Sequence, residues 1–166
     1  MLARALLEDY MRRLLASVFV EGSNLGEIFD GQAPLATFSA RIRLASALGL
    51  LAGDEAEDLH TIREIANDFA HGLDHTMSFE EQSIRTRVFN IQAPRILLDF
   101  GHLTDKPLAE SDRNEFTASA RRRFELAVGT LYHTLSERAK ATRPVAPLES
   151  LLTLLDKTAK PDTKED

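Results

Sequence analysis

The sequence contains no cysteine and no tryptophan, and only 7% of its 166 residues are aromatic. The missing cysteines exclude disulfide bonds, thiolate metal ligands and cysteine nucleophiles. Long apolar runs are missing as well. None approaches the ~18 residues that cross a membrane, and residues 1–22 mix acids and arginines among leucines, unlike a secretory signal. We therefore expect a cytoplasmic protein that does not insert into a membrane.

Basic residues are outnumbered by acidic ones, 20 to 26, which gives a formal net charge of −6. Affinity for nucleic acid depends on lysines and arginines that neutralise phosphates. The densest basic run, Arg121 to Arg123, fans out over about 200° of a helix, which favours a solvated position over a DNA-binding stripe. A helix-turn-helix over residues 41–64 would insert a helix that begins with four acids at positions 54–58. Direct DNA binding is therefore disfavoured.

Apolar residues recur every three or four positions along most of the chain, and no segment alternates as a β-strand does. This spacing predicts an all-α fold, a single helical bundle of about five to seven helices over residues 1–142. Residues 143–166 begin with prolines and leucines and end in a charged run, which predicts a flexible C-terminal tail. Its leucines pack on the parent bundle or on a second copy; they are Leu148, Leu151, Leu152 and Leu155.

Capping patterns predict where the helices begin. The first helix is expected over residues 2–19, and Pro34 suits the first position of the second. Asp54 is expected to cap the third helix. A capping box at residues 78–81 starts a fourth, and Ser111 caps a long helix that runs past residue 135.

The third predicted helix carries a polar strip opposite its apolar face. On a helical wheel His60, Glu64, Asn67 and His71 fall within about 60°, with Arg63 at the edge. Histidine can transfer a proton near neutral pH, a carboxylate can orient it, and an amide can donate or accept a hydrogen bond. We call these five residues the candidate binding strip. The plainer alternative is a solvated helix face whose last residues pin the turn that follows.

No metal site and no cofactor are predicted. His71 is near Asp74 and His75, but Gly72 breaks the helical register and the H-E-x-x-H pattern is missing. The G-x-S-x-G elbow and phosphate-binding glycine loops are missing too. The sequence therefore assigns no catalytic residue.

Four stretches resemble the mannitol operon repressor family of bacterial regulators, in order and with similar spacing over about residues 25–135. They are TFSARIRLASALGLL, DLHTIREIANDFAH, SFEEQSIRTR and RRRFELAVGTLYHTL. The resemblance implies an all-helical cytoplasmic protein, linked by name to negative control of sugar-uptake operons, without a recognisable DNA-binding motif. Such a regulator would act through a protein partner.

Residues 66–71, ANDFAH, also resemble the R-N-x-F-A-H signature of HEPN domains, many of which are ribonucleases or nucleotide binders. The resemblance implies that the arginine and histidine act on a phosphodiester. Here Ala66 stands at the arginine position, and Asp68 adds negative charge nearby. The residues that could replace the missing cation, within one chain or across a dimer, are Arg63, Arg85 and Arg87.

We therefore interpret the chain as a non-catalytic transcription regulator, a repressor-like protein that binds a protein partner and forms a homodimer. The alternative is a HEPN-like ribonuclease or nucleotide-binding domain with a degenerate site, whose ligand is RNA or a nucleotide. A bundle with a purely structural role is the third interpretation.

Overall fold

A computed structural model describes residues 2–71, 77–95 and 109–146. These ranges contain no β-strand, and the predicted all-α class is confirmed. The helices that lie entirely within them are α1 (Leu2–Ala16), α2 (Leu25–Phe29), α3 (Phe38–Ala47), α4 (Gly53–His71), α5 (Gln82–Asn90), α6 (Glu110–Ala118) and α7 (Ala120–Ala141).

The bundle is organised around α1 and α7, which make its most extensive helix contact. Helices α3 and α4 pack on α1 and on each other, α5 lies against α4 and α7, and α6 packs on α7. Each long helix supplies one apolar row, because side chains three or four residues apart share a face. The largest fully buried side chains are Phe29, Phe38, Leu7, Met11, Leu14, Leu15, Ile42, Leu59, Ile62, Ile65, Ile84 and Ile91.

Buried Arg41 holds the turn between α2 and α3. Its guanidinium donates to four main-chain carbonyls, those of Leu35 at 2.8 Å, Glu8 and Phe29 at 3.3 Å, and Ala36 at 3.4 Å. A buried cation needs such partners because leaving it unpaired is costly. Burial lowers the pKa of Arg41, and the Glu8 carboxylate at 3.6 Å opposes that shift.

A second buried charge, Asp58 on α4, fixes the chain that follows α5. Its carboxylate accepts from the main-chain nitrogen of Gln92 at 2.9 and 3.0 Å and from that of Ala93 at 2.6 Å. Residues 93–95 are helical, so Asp58 satisfies amides at the start of this turn as a local N-cap would. Burial raises the pKa of Asp58, and the hydrogen bonds from Gln92 and Ala93 oppose the shift.

The start of the second long helix differs from the prediction, because Pro34 lies outside it. Helix α3 begins at Phe38, after Thr37, whose hydroxyl accepts from the amide three residues on at 3.2 Å. Pro34 instead belongs to a turn that is closed by a 3.0 Å bond from Ala36 N to Ala33 O. The threonine cap therefore outweighs the proline signal.

Helix α4 begins at Gly53, one residue before the predicted cap Asp54. Glu55 Oε2 accepts from Ala52 N at 2.8 Å, so the capping box lies two residues earlier than expected. The same carboxylate accepts from Arg138 Nη2 at 2.8 Å. This long-range ion pair holds Glu55 in the capping geometry.

Two further predicted caps are displaced. Helix α5 begins at Gln82, because the carbonyl of Ser78 accepts from the amide three residues on and closes a turn. The long helix predicted from Ser111 is in fact two helices, α6 and α7, separated at Ser119. The Ser119 hydroxyl accepts from Arg122 N at 3.4 Å and caps α7. Neither glycine nor proline marks this break.

The arginine run at the start of α7 is solvated only in part. Arg121 and Arg122 are exposed and pair with Glu125 at 3.0 and 3.1 Å. Arg123 is only 6% exposed, contrary to the prediction, and its guanidinium lies 5.3 Å from the ring centroid of Phe89. Because successive residues of a helix are rotated by about 100°, three consecutive arginines point in different directions, and Arg123 points into the bundle.

Helix α1 ends at Ala16, three residues earlier than predicted. Beyond α7, Val145 N donates to Val18 O at 3.0 Å, so the start of the C-terminal segment lies against the end of α1. The predictions for the leucines at 148–155, for the end of the tail and for Asp74 and His75 concern residues outside the described ranges.

Candidate functional site

The candidate binding strip lies on the side of α4 that faces away from its buried row, Leu59, Ile62 and Ile65. Its last member, His71, is the final residue of α4. His60, Arg63 and Asn67 are half-buried, and Glu64 and His71 are exposed.

Asn67 is tied to α1 by a residue that sequence reasoning missed. Arg4 Nη1 donates to Asn67 Oδ1 at 2.7 Å, and the two residues are 63 positions apart. Arg4 Nε also lies 3.6 Å from a Glu8 carboxylate oxygen. The half-buried amide therefore joins two helices rather than pinning the end of its own. No local pattern could have revealed Arg4, because it lies on a different helix.

The three predicted replacement cations all have acidic neighbours. Arg63 Nη2 is 3.2 Å from Glu64 Oε1, and Arg85 Nη1 is 3.6 Å from Glu80 Oε2. Arg87 forms an ion pair with Asp68, inside the HEPN-like stretch. Within the described part of the chain, Arg87 is the one of these three arginines that is bonded to a residue of the HEPN-like stretch. Its charge is balanced there by the carboxylate.

Two further positions of residues 66–71, Ala66 and Phe69, form packing contacts. Ala66, at the arginine position of the signature, is only 7% exposed. The Phe69 ring lies 5.0 Å from that of Phe79, which lies 5.3 Å from that of Phe124. These aromatic contacts join the C-terminal end of α4 to α7.

His60 titrates below the ordinary range for histidine. Partial burial lowers its pKa, and the nearby Arg63 adds to the shift. Glu64 opposes the effect, and Arg43 on α3 reinforces it. The imidazole is therefore held toward its neutral form, which can both donate and accept a hydrogen bond.

Two depressions flank the exposed start of α1, where Leu2 is 85% exposed. One has a volume of about 440 Å³ and lies between α1 and the end of α4; the other, of about 500 Å³, lies between α1 and α7. Their charged rims carry Arg4 with Glu8 and Arg121 with Glu125. We call their apolar lining the N-terminal face; it consists of Leu2, Ala3, Ala5, Leu6, Ala66, Ala70, Phe79, Phe124 and Val128.

The N-terminal face adjoins the candidate binding strip, because Ala66 and Ala70 precede and follow Asn67 on α4. Concave apolar surface of this kind is typical of sites that bind another molecule. Within the described ranges, no three side chains of metal-binding type come together, and no helix is long and apolar enough to cross a membrane.

No protein family model matches this chain, and no curated protein matches it. The chain does resemble a solved structure, described as the X-ray structure of the MtlR–HPr complex from Escherichia coli. The match has a TM-score of 0.50 at 19% sequence identity and covers 83% of this chain and 84% of that chain.

This likeness establishes a fold of the MtlR type. It agrees with the helical architecture implied by the resemblance to the mannitol operon repressor family. At 19% identity the likeness is evidence for the fold alone. The roles of the candidate binding strip and of the HEPN-like stretch stay predictions.

Proposed function

We propose that this protein is a non-catalytic negative regulator of transcription that acts by binding a protein partner through its N-terminal face. The observation that carries the proposal is Leu2, 85% exposed between two apolar depressions. The fold supports it, because the similar MtlR chain was solved in complex with a protein, HPr. The proposed partner of this chain is accordingly the HPr of the same organism.

The charge distribution favours a protein partner over a nucleic acid. Around the N-terminal face, Arg4 lies 3.6 Å from Glu8 and Arg121 lies 3.0 Å from Glu125. These carboxylates offset cations that would otherwise attract phosphates. A polar rim of both signs around an apolar centre is the usual anatomy of a protein interface.

Binding of purified HPr, measured by isothermal titration calorimetry, tests this assignment. Leu2→Glu should weaken binding by at least about tenfold, because a leucine buried in an interface contributes about 1.5–3 kcal/mol. Leu48→Glu is the matched control, since Leu48 is 51% exposed at the end of α3. Unimpaired binding by Leu2→Glu, or an equal loss in both variants, would contradict the proposed face.

The regulatory role is tested separately in cells. Deleting the gene should raise transcription of a sugar-uptake operon, and the wild-type chain should restore repression. Leu2→Glu should fail to restore it while Leu48→Glu succeeds. Full repression by Leu2→Glu at equal protein level would argue against control through this face.

A second candidate function rests on the bond between Arg4 and Asn67. It places a guanidinium beside the HEPN-like stretch, where a ribonuclease would need a cation. If the chain is such an enzyme, His71→Ala and Arg4→Gln should each lower RNA cleavage at least about tenfold. Equal, slow degradation by wild type and both variants would eliminate this function.

A further inference from the structure

Gly129 lies in the interior of the 22-residue helix α7, where glycine is a poor choice. It is exposed, and a Cβ built on it would meet no atom of the described residues within 4 Å. No left-handed backbone angle requires it, because Gly129 is helical. Nothing inside the described part of the monomer therefore explains the absence of a side chain. A glycine at such a point lets another backbone approach closely.

The surroundings of Gly129 form a groove of about 610 Å³ between α6 and α7. Phe116 of α6 forms one wall, and Leu126 and His133 of α7 lie on either side of the glycine. No residue of α6 is buried against the described part of the chain. The groove is lined by the apolar side chains of Phe116 and Leu126 together with the polar groups of Arg122, Glu125, Thr130, His133 and Thr134, a mixed surface of the kind found where proteins meet.

Charges of opposite sign lie on either side of Gly129 along α7, and both have partners within the chain: Arg122 pairs with Glu115 and Glu125, and Glu137 pairs with Lys140. Arg122 lies seven residues before the glycine and Glu137 eight residues after it, about 10 and 12 Å along the helix axis. An antiparallel copy of α7 that crosses at Gly129 would bring Arg122 of each chain opposite Glu137 of the other. The same alignment sets Glu125 near His133. A parallel copy would instead oppose like charges.

We propose that the outer face of α7, centred on Gly129, is the surface on which a second copy of this chain docks in antiparallel orientation. Helix α7 has 22 residues and is about 33 Å long, and α6 packs beside it, so each chain offers two adjacent helices to the other. The proposal does not depend on the proposed function, because Gly129 and Glu137 lie outside the N-terminal face, and the two surfaces share only the rim residue Glu125.

Cysteine cross-linking tests the crossing point, and the absence of native cysteines makes any introduced thiol unique. The full-length Gly129→Cys variant should form a disulfide-linked dimer under copper phenanthroline at least about tenfold faster than Leu48→Cys. Equal rates for the two variants would overturn the proposal. A monomeric Gly129→Cys variant whose thiol resists alkylation would also overturn it, since another segment of the same chain would then cover the face.

Charge reversal tests the orientation by analytical ultracentrifugation of full-length protein. Arg122→Glu and Glu137→Arg should each weaken self-association about tenfold or more, and the double variant should return to within about threefold of wild type. Restoration could not arise inside one chain, because the two side chains lie about 22 Å apart along α7. Arg43→Glu combined with Glu137→Arg is the control and should not restore association.

A wild-type chain that stays monomeric at tens of micromolar, or a double variant as weak as the single ones, would refute the antiparallel pairing. HPr binding is measured on the same variants. Loss of self-association with unchanged HPr binding separates this proposal from the one made for the N-terminal face.

Discussion

The buried charges of α3 and α4 and the polar strip of α4 use their partners in opposite ways. Arg41 and Asp58 are bonded to main-chain groups, which cannot move away or change identity. On the strip, Asn67 and Arg63 have side-chain partners that are partly exposed to water. We therefore expect the buried charges to contribute more to stability than the polar residues of the strip, although nothing in the sequence distinguishes the buried charges. The following predictions test this contrast, beginning with the largest expected effect.

Asp58→Ala should destabilise the protein by about 2–4 kcal/mol, because the buried N–H of Ala93 and the partly buried N–H of Gln92 would lose their acceptor. The free energy of unfolding from urea denaturation measures the effect. Asp54→Ala is the control on the same helix and should change stability by less than about 0.5 kcal/mol, since Asp54 is exposed. Equal effects would mean that burial does not separate the two carboxylates.

Arg41→Lys should cost about 1–3 kcal/mol, because a single ammonium cannot reach the four carbonyls that the guanidinium joins. Arg43→Lys, two residues on and exposed, serves as the comparison and should be nearly neutral. A neutral Arg41→Lys in thermal or urea unfolding would show that the turn between α2 and α3 holds without the clamp.

The pair of Arg4 and Asn67 should contribute less. A double-mutant cycle with Arg4→Ala and Asn67→Ala should give a coupling of about 0.5–1 kcal/mol, as expected for a partly exposed hydrogen bond. The same cycle on HPr binding reports whether the contact also shapes the N-terminal face. A coupling above about 2 kcal/mol in unfolding would instead show that the bond between Arg4 and Asn67 is a main support of the fold.

His60 should produce the smallest effect, visible as a dependence of stability on pH. Because its pKa is lowered in the folded state, the unfolded chain binds the proton more tightly. His60 therefore has its full favourable effect above its unfolded pKa of about 6.5, and stability falls as the pH drops through that value toward the folded pKa. His60→Gln should flatten this part of the curve, and an unchanged slope would assign it to another group.

The parts of the structure that were predictable are those that local spacing controls. The repeat of Leu59, Ile62 and Ile65 predicts both the existence of α4 and its buried side. Cap positions were harder to predict from the sequence, because Glu55 adopts its capping geometry with the help of Arg138, 83 residues away. The break at Ser119 carries no glycine or proline signal.

The candidate site was predictable only on its own helix. A helical wheel of α4 places His60, Asn67 and His71 on one side of the helix. The side chains of α1 and α5 that contact this side depend on how the helices pack. Arg4, from α1, was not predicted, and Arg87, from α5, was only one of three candidates until its bond to Asp68 distinguished it. A sequence pattern can therefore locate such a surface without naming all the groups that complete it.

The guanidinium of Arg41 joins carbonyls from three separate stretches of chain, at Glu8, at Phe29 and at residues 35–36. None of these stretches can open without releasing the same cation into an apolar interior. The turn between α2 and α3 should therefore exchange its bonded amide hydrogens with solvent only when the whole bundle unfolds, at the slowest rate in the molecule.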